Sequence, residues 1–249
     1  MSHIGDILRK ASHNTPPAMG FRPVAAAKPH MVLVAAINDT SGEAGAQTQG
    51  AEAVIISADI KPRALKSLVK TLSVPWGIWQ GVPSPTGRES AGADFVIFEP
   101  GKAGLELMSN EDMGKIVAVE PSYDNTLLHG ISELPVEAVY YIRAPQNTLS
   151  WLELMQCRRL STLTTKPLLI PVSPDTPPAQ LKTLWEAGVD GVVVVGTAEN
   201  TLQEMRQGMD ALALPIRRKG PRARPLVPLM ATMPAAAQGD EDGEEEEEE

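Results

Sequence analysis

A single cysteine, Cys157, stands in 249 residues. It excludes an intrachain disulfide and a structural zinc site built on thiolates, and a cytoplasmic location is the expectation. No run approaches the roughly 18 apolar residues needed to span a bilayer, and the N-terminus lacks the apolar core of a signal peptide, so neither membrane insertion nor secretion is expected. Glycine-rich dinucleotide loops and phosphate-cradling Walker loops are also missing, which removes the usual signals for dinucleotide and nucleoside triphosphate binding. Aromatic residues make up only 4%. Trp76, Trp79, Trp151 and Trp185 read as core or helix–sheet packing, with Trp79 the one that could line a pocket.

A basic face is absent as well. The formal charge of −9 equals the nine acidic residues Asp240, Glu241, Asp242 and Glu244 to Glu249 at the C-terminus, so the remainder is neutral. Within that remainder Arg217, Arg218, Lys219, Arg222 and Arg224 form a basic run, which leaves residues 1–216 at −5. Nucleic acid is therefore not an expected partner, and neither is a membrane surface.

What the chain does have is a repeated beat of short apolar runs. Residues 31–37, 53–58, 75–80, 95–99, 115–120, 138–143, 167–172 and 191–195 read as eight buried parallel strands. Helical patterns fall between them, the clearest at 63–72, 149–163, 178–187 and 198–212. Eight strands with crossovers imply an α/β fold, a compact (β/α)8 barrel. The connections 81–91 and 100–114 are thin, so some crossover helices should be shortened or replaced by loops. An amphipathic piece at residues 4–10 should lie across one end of the domain or fray. The domain reading is an N-terminal extension over 1–30, the barrel over 31–213, and a tail over 214–249 that is basic, then Pro/Ala-rich, then acidic and disordered.

An internal echo supports the barrel. Gly50 with Glu52, Gly92 with Asp94, and Gly188 with Asp190 each place a glycine and then an acid before an apolar strand. Glycine there would end the preceding helix in the left-handed conformation. The stretch from Glu186 to Thr197, with its copy at Gly92–Asp94, resembles the closing units of the TIM barrels that bind phosphorylated or carboxylate metabolites. In that superfamily the loops after strands seven and eight hold a phosphate at the start of the eighth helix. The resemblance implies that role for Gly196 and Thr197, where backbone N–H groups favour an anion. The loop after the seventh strand departs from the pattern, with Ser173, Asp175 and three prolines where a glycine turn belongs.

Barrel active sites lie at the C-terminal ends of the strands. That rule collects Asn38 and Asp39, Asp59, Gln80, Glu99, Glu120, Arg143, Ser173 and Thr197. Glu120, Glu99 and Asp59 are candidate catalytic acids, and the three carboxylates could also hold a divalent cation. Arg143 could clamp a carboxylate or phosphate, with Gln80, Asn38, Ser173, Gly196 and Thr197 completing substrate binding. A charge at such a place is also, commonly, the first solvated residue of a loop or half of an ion pair, and Glu120 and Arg143 could simply satisfy each other. No histidine and no lysine falls at a strand end, which disfavours histidine proton shuttles and Schiff-base chemistry. Two functions remain open: a lyase or isomerase acting on a small anionic metabolite, or a non-catalytic barrel that reaches a protein partner through its charged tail.

Overall fold

Strands that are apolar at nearly every position, rather than at every second one, must be covered on both faces. The computed structural model shows how; it describes residues 2–12, 30–37, 48–57, 60, 62–80, 92–144, 148–195 and 201–215. Eight parallel strands, β1 Val32–Ile37, β2 Ala53–Ser57, β3 Trp76–Gln80, β4 Phe95–Phe98, β5 Gly114–Val119, β6 Ala138–Tyr141, β7 Leu168–Val172 and β8 Gly191–Val195, pair in chain order. β8 pairs with β1, Val32 opposite Gly191 and Val34 opposite Val193, and the barrel is closed.

Alternate residues divide into two buried layers. Val32, Val34, Ile55, Phe95, Ile97, Ile116, Tyr140, Leu169 and Val193 fill the barrel, while Leu33, Val54, Ile78, Val117, Tyr141, Ile170 and Val194 pack against the surrounding helices. The adjacent tyrosines thus face opposite ways, as strand geometry requires. Gly77 makes room for a large neighbour: a Cβ there would come within 2.3 Å of the Phe95 ring.

The helices are α1 His3–Ser12, α2 Pro62–Val69, α3 Asn125–Ile131, α4 Trp151–Leu163, α5 Pro178–Ala187 and α6 Thr201–Asp210. After β4 the expected shortening takes the form of a 3₁₀ helix, Leu105–Ser109. The connection 81–91 and the tail from 216 lie outside the described residues. At seven residues, α3 is too short to show a helical period; its start is set by Asp124, whose side chain accepts from the Leu127 N–H at 2.8 Å. Trp151 departs from the packing expected of it and is 83% exposed. The helical phase places Cys157 and Leu160 on the sheet side of α4, which turns residue 151 to the opposite face.

The glycine–acid echo proves structural. Gly50, Gly92 and Gly188 have φ of 96°, 82° and 108°, in the left-handed region. The acids after them lie at the N-terminal end of the barrel and bind backbone or charge there. Asp190 Oδ2 accepts from Leu168 N at 2.8 Å, satisfying the first donor of β7. Asp94 accepts from His3 N and Ile4 N, both at 2.8 Å, and so anchors the start of α1. Below it Ile4 and Leu8 are fully buried and join the barrel's interior cluster, so α1 plugs the N-terminal mouth.

Glu52 joins a third contact at this end: His30 Nε2 lies 3.4 Å and Arg206 Nη1 3.1 Å from its Oε1. The hydrogen bond to Glu52 raises the His30 pKa, outweighing the opposing effect of burial. Burial would raise the Glu52 carboxyl, but the His30 hydrogen bond and the Arg206 charge hold it below its ordinary value.

Two outcomes follow from this end of the barrel. Leu8→Ala should lower the unfolding free energy by about 2–5 kcal/mol in urea titrations, the cost of a cavity in a packed interior; an unchanged midpoint would show that α1 does not plug the barrel. A histidine whose folded pKa is raised contributes stability that is complete below its unfolded value of about 6.5 and is lost as pH rises through the folded value. Glu52 contributes in the opposite sense, its share being lost only as pH falls through its depressed folded pKa. Between about pH 6 and 8 the wild-type melting temperature should therefore fall more steeply than that of His30→Ala. Parallel slopes would exclude the pair as a source of stability.

Candidate functional site

The opposite mouth, at the C-terminal ends of the strands, is floored by two rings. Trp79 from β3 and Tyr140 from β6 meet edge to face, with centroids 4.9 Å apart and an interplanar angle of 71°. Burial pushes the Tyr140 hydroxyl well above the ordinary phenol range, so it stays protonated.

Around this floor the strand-end residues fall one or two positions beyond their strands. Glu99 follows β4 and pairs with Lys102 Nζ at 2.7 Å, one turn further on. Glu120 follows β5, is exposed, and accepts from Ser122 Oγ at 3.0 Å. Tyr123, which the sequence did not single out, is half-buried beside both acids. Burial raises its pKa first, and the Glu120 and Glu99 carboxylates raise it further. Only the three-residue step from Glu120 could have marked it, since Tyr123 N donates back to Glu120 O at 3.2 Å.

Arg143 lies two residues beyond β6, one past Ile142, whose N–H donates to Val119 O at 2.8 Å. Glu120 and Arg143 therefore end neighbouring strands, yet they do not pair. Arg143 has only 5% of its side chain exposed and turns toward α4, its Nη2 3.0 Å from Glu153 Oε1. That approach is an ion-pair distance without hydrogen-bond direction: buried Nη1 and Nη2 have no acceptor among the described residues. The other oxygen of Glu153 accepts from Ser150 N at 2.8 Å and Ser150 Oγ at 3.0 Å, closing a capping box at the start of α4.

Ser173, just after β7, is buried in its own turn. Its carbonyl accepts from Thr176 N at 3.1 Å and Thr176 Oγ1 at 2.7 Å, and its hydroxyl from Asp175 N at 3.4 Å. Gln80 is the last residue of β3, opposite Phe98. Asn38, Asp39, Asp59, Gly196 and Thr197 lie outside the described residues. Among the described residues no group of three or more His, Cys, Asp or Glu side chains is placed to hold a metal ion. Cys157 is fully buried on α4, and burial pushes its thiol up to about 12, so it is no nucleophile. Among the described residues no helix is long and apolar enough to cross a membrane.

No family model and no curated protein matches the sequence. Solved structures share its architecture. Tryptophan synthase from Mycobacterium tuberculosis is similar at 13% identity over 87% of this chain and 99% of that one, with a TM-score of 0.60. Thiamine phosphate pyrophosphorylase from Pyrococcus furiosus is similar at 12% identity over 72% of this chain and 95% of that one, with a TM-score of 0.56. N-(5'-phosphoribosyl)anthranilate isomerase from the same organism is similar at 12% identity over 74% and 100%, with a TM-score of 0.54. At such identities the likeness establishes the TIM-barrel fold and nothing finer, in keeping with the resemblance carried by the closing strand.

The Arg143–Glu153 contact is asymmetric, and denaturant titration can read the asymmetry. Glu153→Ala leaves a buried guanidinium without its counter-charge and removes the cap, and should cost about 3–5 kcal/mol. Arg143→Met removes the two acceptorless donors together with the charge, and should cost clearly less. Equal losses would mean that the contact is an ordinary solvated pair.

Proposed function

We propose that this protein binds a small phosphorylated or carboxylate metabolite at the C-terminal mouth of its barrel and acts on it as a lyase or isomerase. One observation carries the reading: neighbouring strand ends bear Glu120, a carboxylate with no ion pair among the described residues, and Arg143, a buried guanidinium with two donors that lack acceptors among those residues. An anion is the group that would complete such an arginine. In this reading Arg143 holds the substrate's anionic group together with the backbone of Gly196 and Thr197. Glu120 moves a proton, the protonated phenol of Tyr123 donates beside it, and Asp59 and Glu99 orient water or a divalent cation. Gln80, Asn38 and Ser173 contact the rest of the substrate. The names of two structural neighbours refer to phosphate-bearing compounds, which agrees with this ligand class.

A second reading, a non-catalytic barrel that serves as a binding or scaffold protein through its charged tail, is favoured by the turn after β7. Ser173 is spent on Thr176 and Asp175, in the loop where a phosphate-binding barrel would offer free backbone donors.

A thermal-shift screen with inorganic phosphate, small carboxylates and divalent cations separates the two. A ligand at 100 times its Kd stabilises the folded state by about 2.7 kcal/mol, on the order of 5–10 °C in melting temperature for a chain of this size. The enzyme reading expects such a shift in wild type and its loss in Arg143→Ala. Glu120→Gln should keep the shift and abolish turnover of whichever compound gives it. A flat screen would sink the first reading.

A further inference from the structure

Helix α4 carries apolar side chains on both faces. Leu154, Cys157 and Leu160 pack on the barrel, whereas Trp151, Leu152 and Met155 stand outward with 83%, 65% and 65% of their surface exposed. Leu127 on the neighbouring α3 is 59% exposed as well. A surface helix of a monomer would carry polar residues there, and a contiguous apolar face of this kind marks an interface.

From its shape and charge we infer that the face is covered by a second copy of this chain, α4 packing antiparallel on α4 about a two-fold axis at Met155. The stripe complements itself. Trp151 lies four residues before Met155 and the Arg158–Arg159 turn three to four residues after it. Antiparallel pairing therefore sets each Trp151 alongside the other copy's arginine turn. Arg158 is exposed, and although its carbonyl accepts from Thr162 Oγ1 its side chain makes no hydrogen bond or ion pair among the described residues, so its guanidinium is available to stack on that indole. The same arrangement keeps the two arginine turns at opposite ends, where they do not repel, and brings apolar surface onto apolar surface at the centre. An isologous contact of this form closes on itself and limits the assembly to two chains. A standard interface has an apolar centre and a polar rim, and Trp151, Leu152 and Met155 supply such a centre with Arg158 at its edge.

The buried Cys157 makes the test clean, because its thiol is inaccessible and held protonated. Sedimentation velocity of the full chain across a concentration series should show a reversible rise from the 26.6 kDa monomer to twice that mass. Met155→Asp should hold the chain at the monomer mass with its melting temperature unchanged at low concentration. Met155→Cys should give a disulfide-linked dimer under mild oxidation, since the two-fold places both copies of residue 155 face to face within reach of a disulfide. Glu204→Cys, exposed on α6, should not. A wild-type chain that stays monomeric throughout overturns the proposal, as does a dimer indifferent to Met155→Asp or failing to cross-link through Cys at 155.

Discussion

Closure of the barrel between β1 and β8 is the constraint on which the rest of the structure depends. A parallel sheet has two edges of unpaired donors and acceptors, and joining Val32–Ala36 to Gly191–Val195 removes both at once. Closure also creates an interior that must be filled. Phe95 and Leu169 do so in the space that Gly77 and Gly191 leave for them. One end then remains open to water unless something covers it, and α1 does so with Ile4 and Leu8. Asp94, which immediately precedes β4, ties that helix to the sheet, so the plug and the strand share one residue.

The two mouths consequently differ in character. At the N-terminal mouth Asp94 holds α1, Asp190 holds β7, and Oε1 of Glu52 meets His30 and Arg206, while its buried Oε2 has no partner among the described residues. At the C-terminal mouth, among the described residues, Glu120 meets a serine hydroxyl and no cation, and Arg143 keeps buried donors without acceptors. The anchoring contacts to backbone thus gather at the N-terminal end, while the buried donors without acceptors belong to Arg143 at the C-terminal end. Arg143 also couples that face to the outer layer, because the Glu153 it approaches is the carboxylate that caps α4. The helix with the exposed apolar stripe is therefore held in place by a residue of the candidate site.

Much of the fold was legible in the order of residues. Eight apolar runs and three glycine–acid pairs indicate a closed parallel barrel, because an all-apolar strand demands two covers and a left-handed glycine marks where a crossover returns to the sheet. That His129 lies on a helix and that the crossover after β4 is shortened were legible, but the ends of α3 and the 3₁₀ form of that crossover were not, since one or two turns carry no period. Trp151 was misread for a related reason: an apolar residue at a helix start has a side only once the phase of the whole helix is fixed by Cys157 and Leu160. The site was legible as positions and not as contacts. Counting to the strand ends finds Glu99, Glu120 and Arg143, but nothing in the spacing tells that Arg143 turns to Glu153 rather than to Glu120.

Local chemistry, then, determined the strands, their burial on both faces, the turns that join them and the end of the barrel at which polar groups would collect. These follow from side-chain polarity and from the backbone freedom of glycine, which act over a few residues. Partnership was decided by the tertiary structure: which acid caps α1, which carboxylate meets Arg143, which face of α4 meets water. Those choices join residues tens of positions apart, and only closure of the sheet fixes the distances between them.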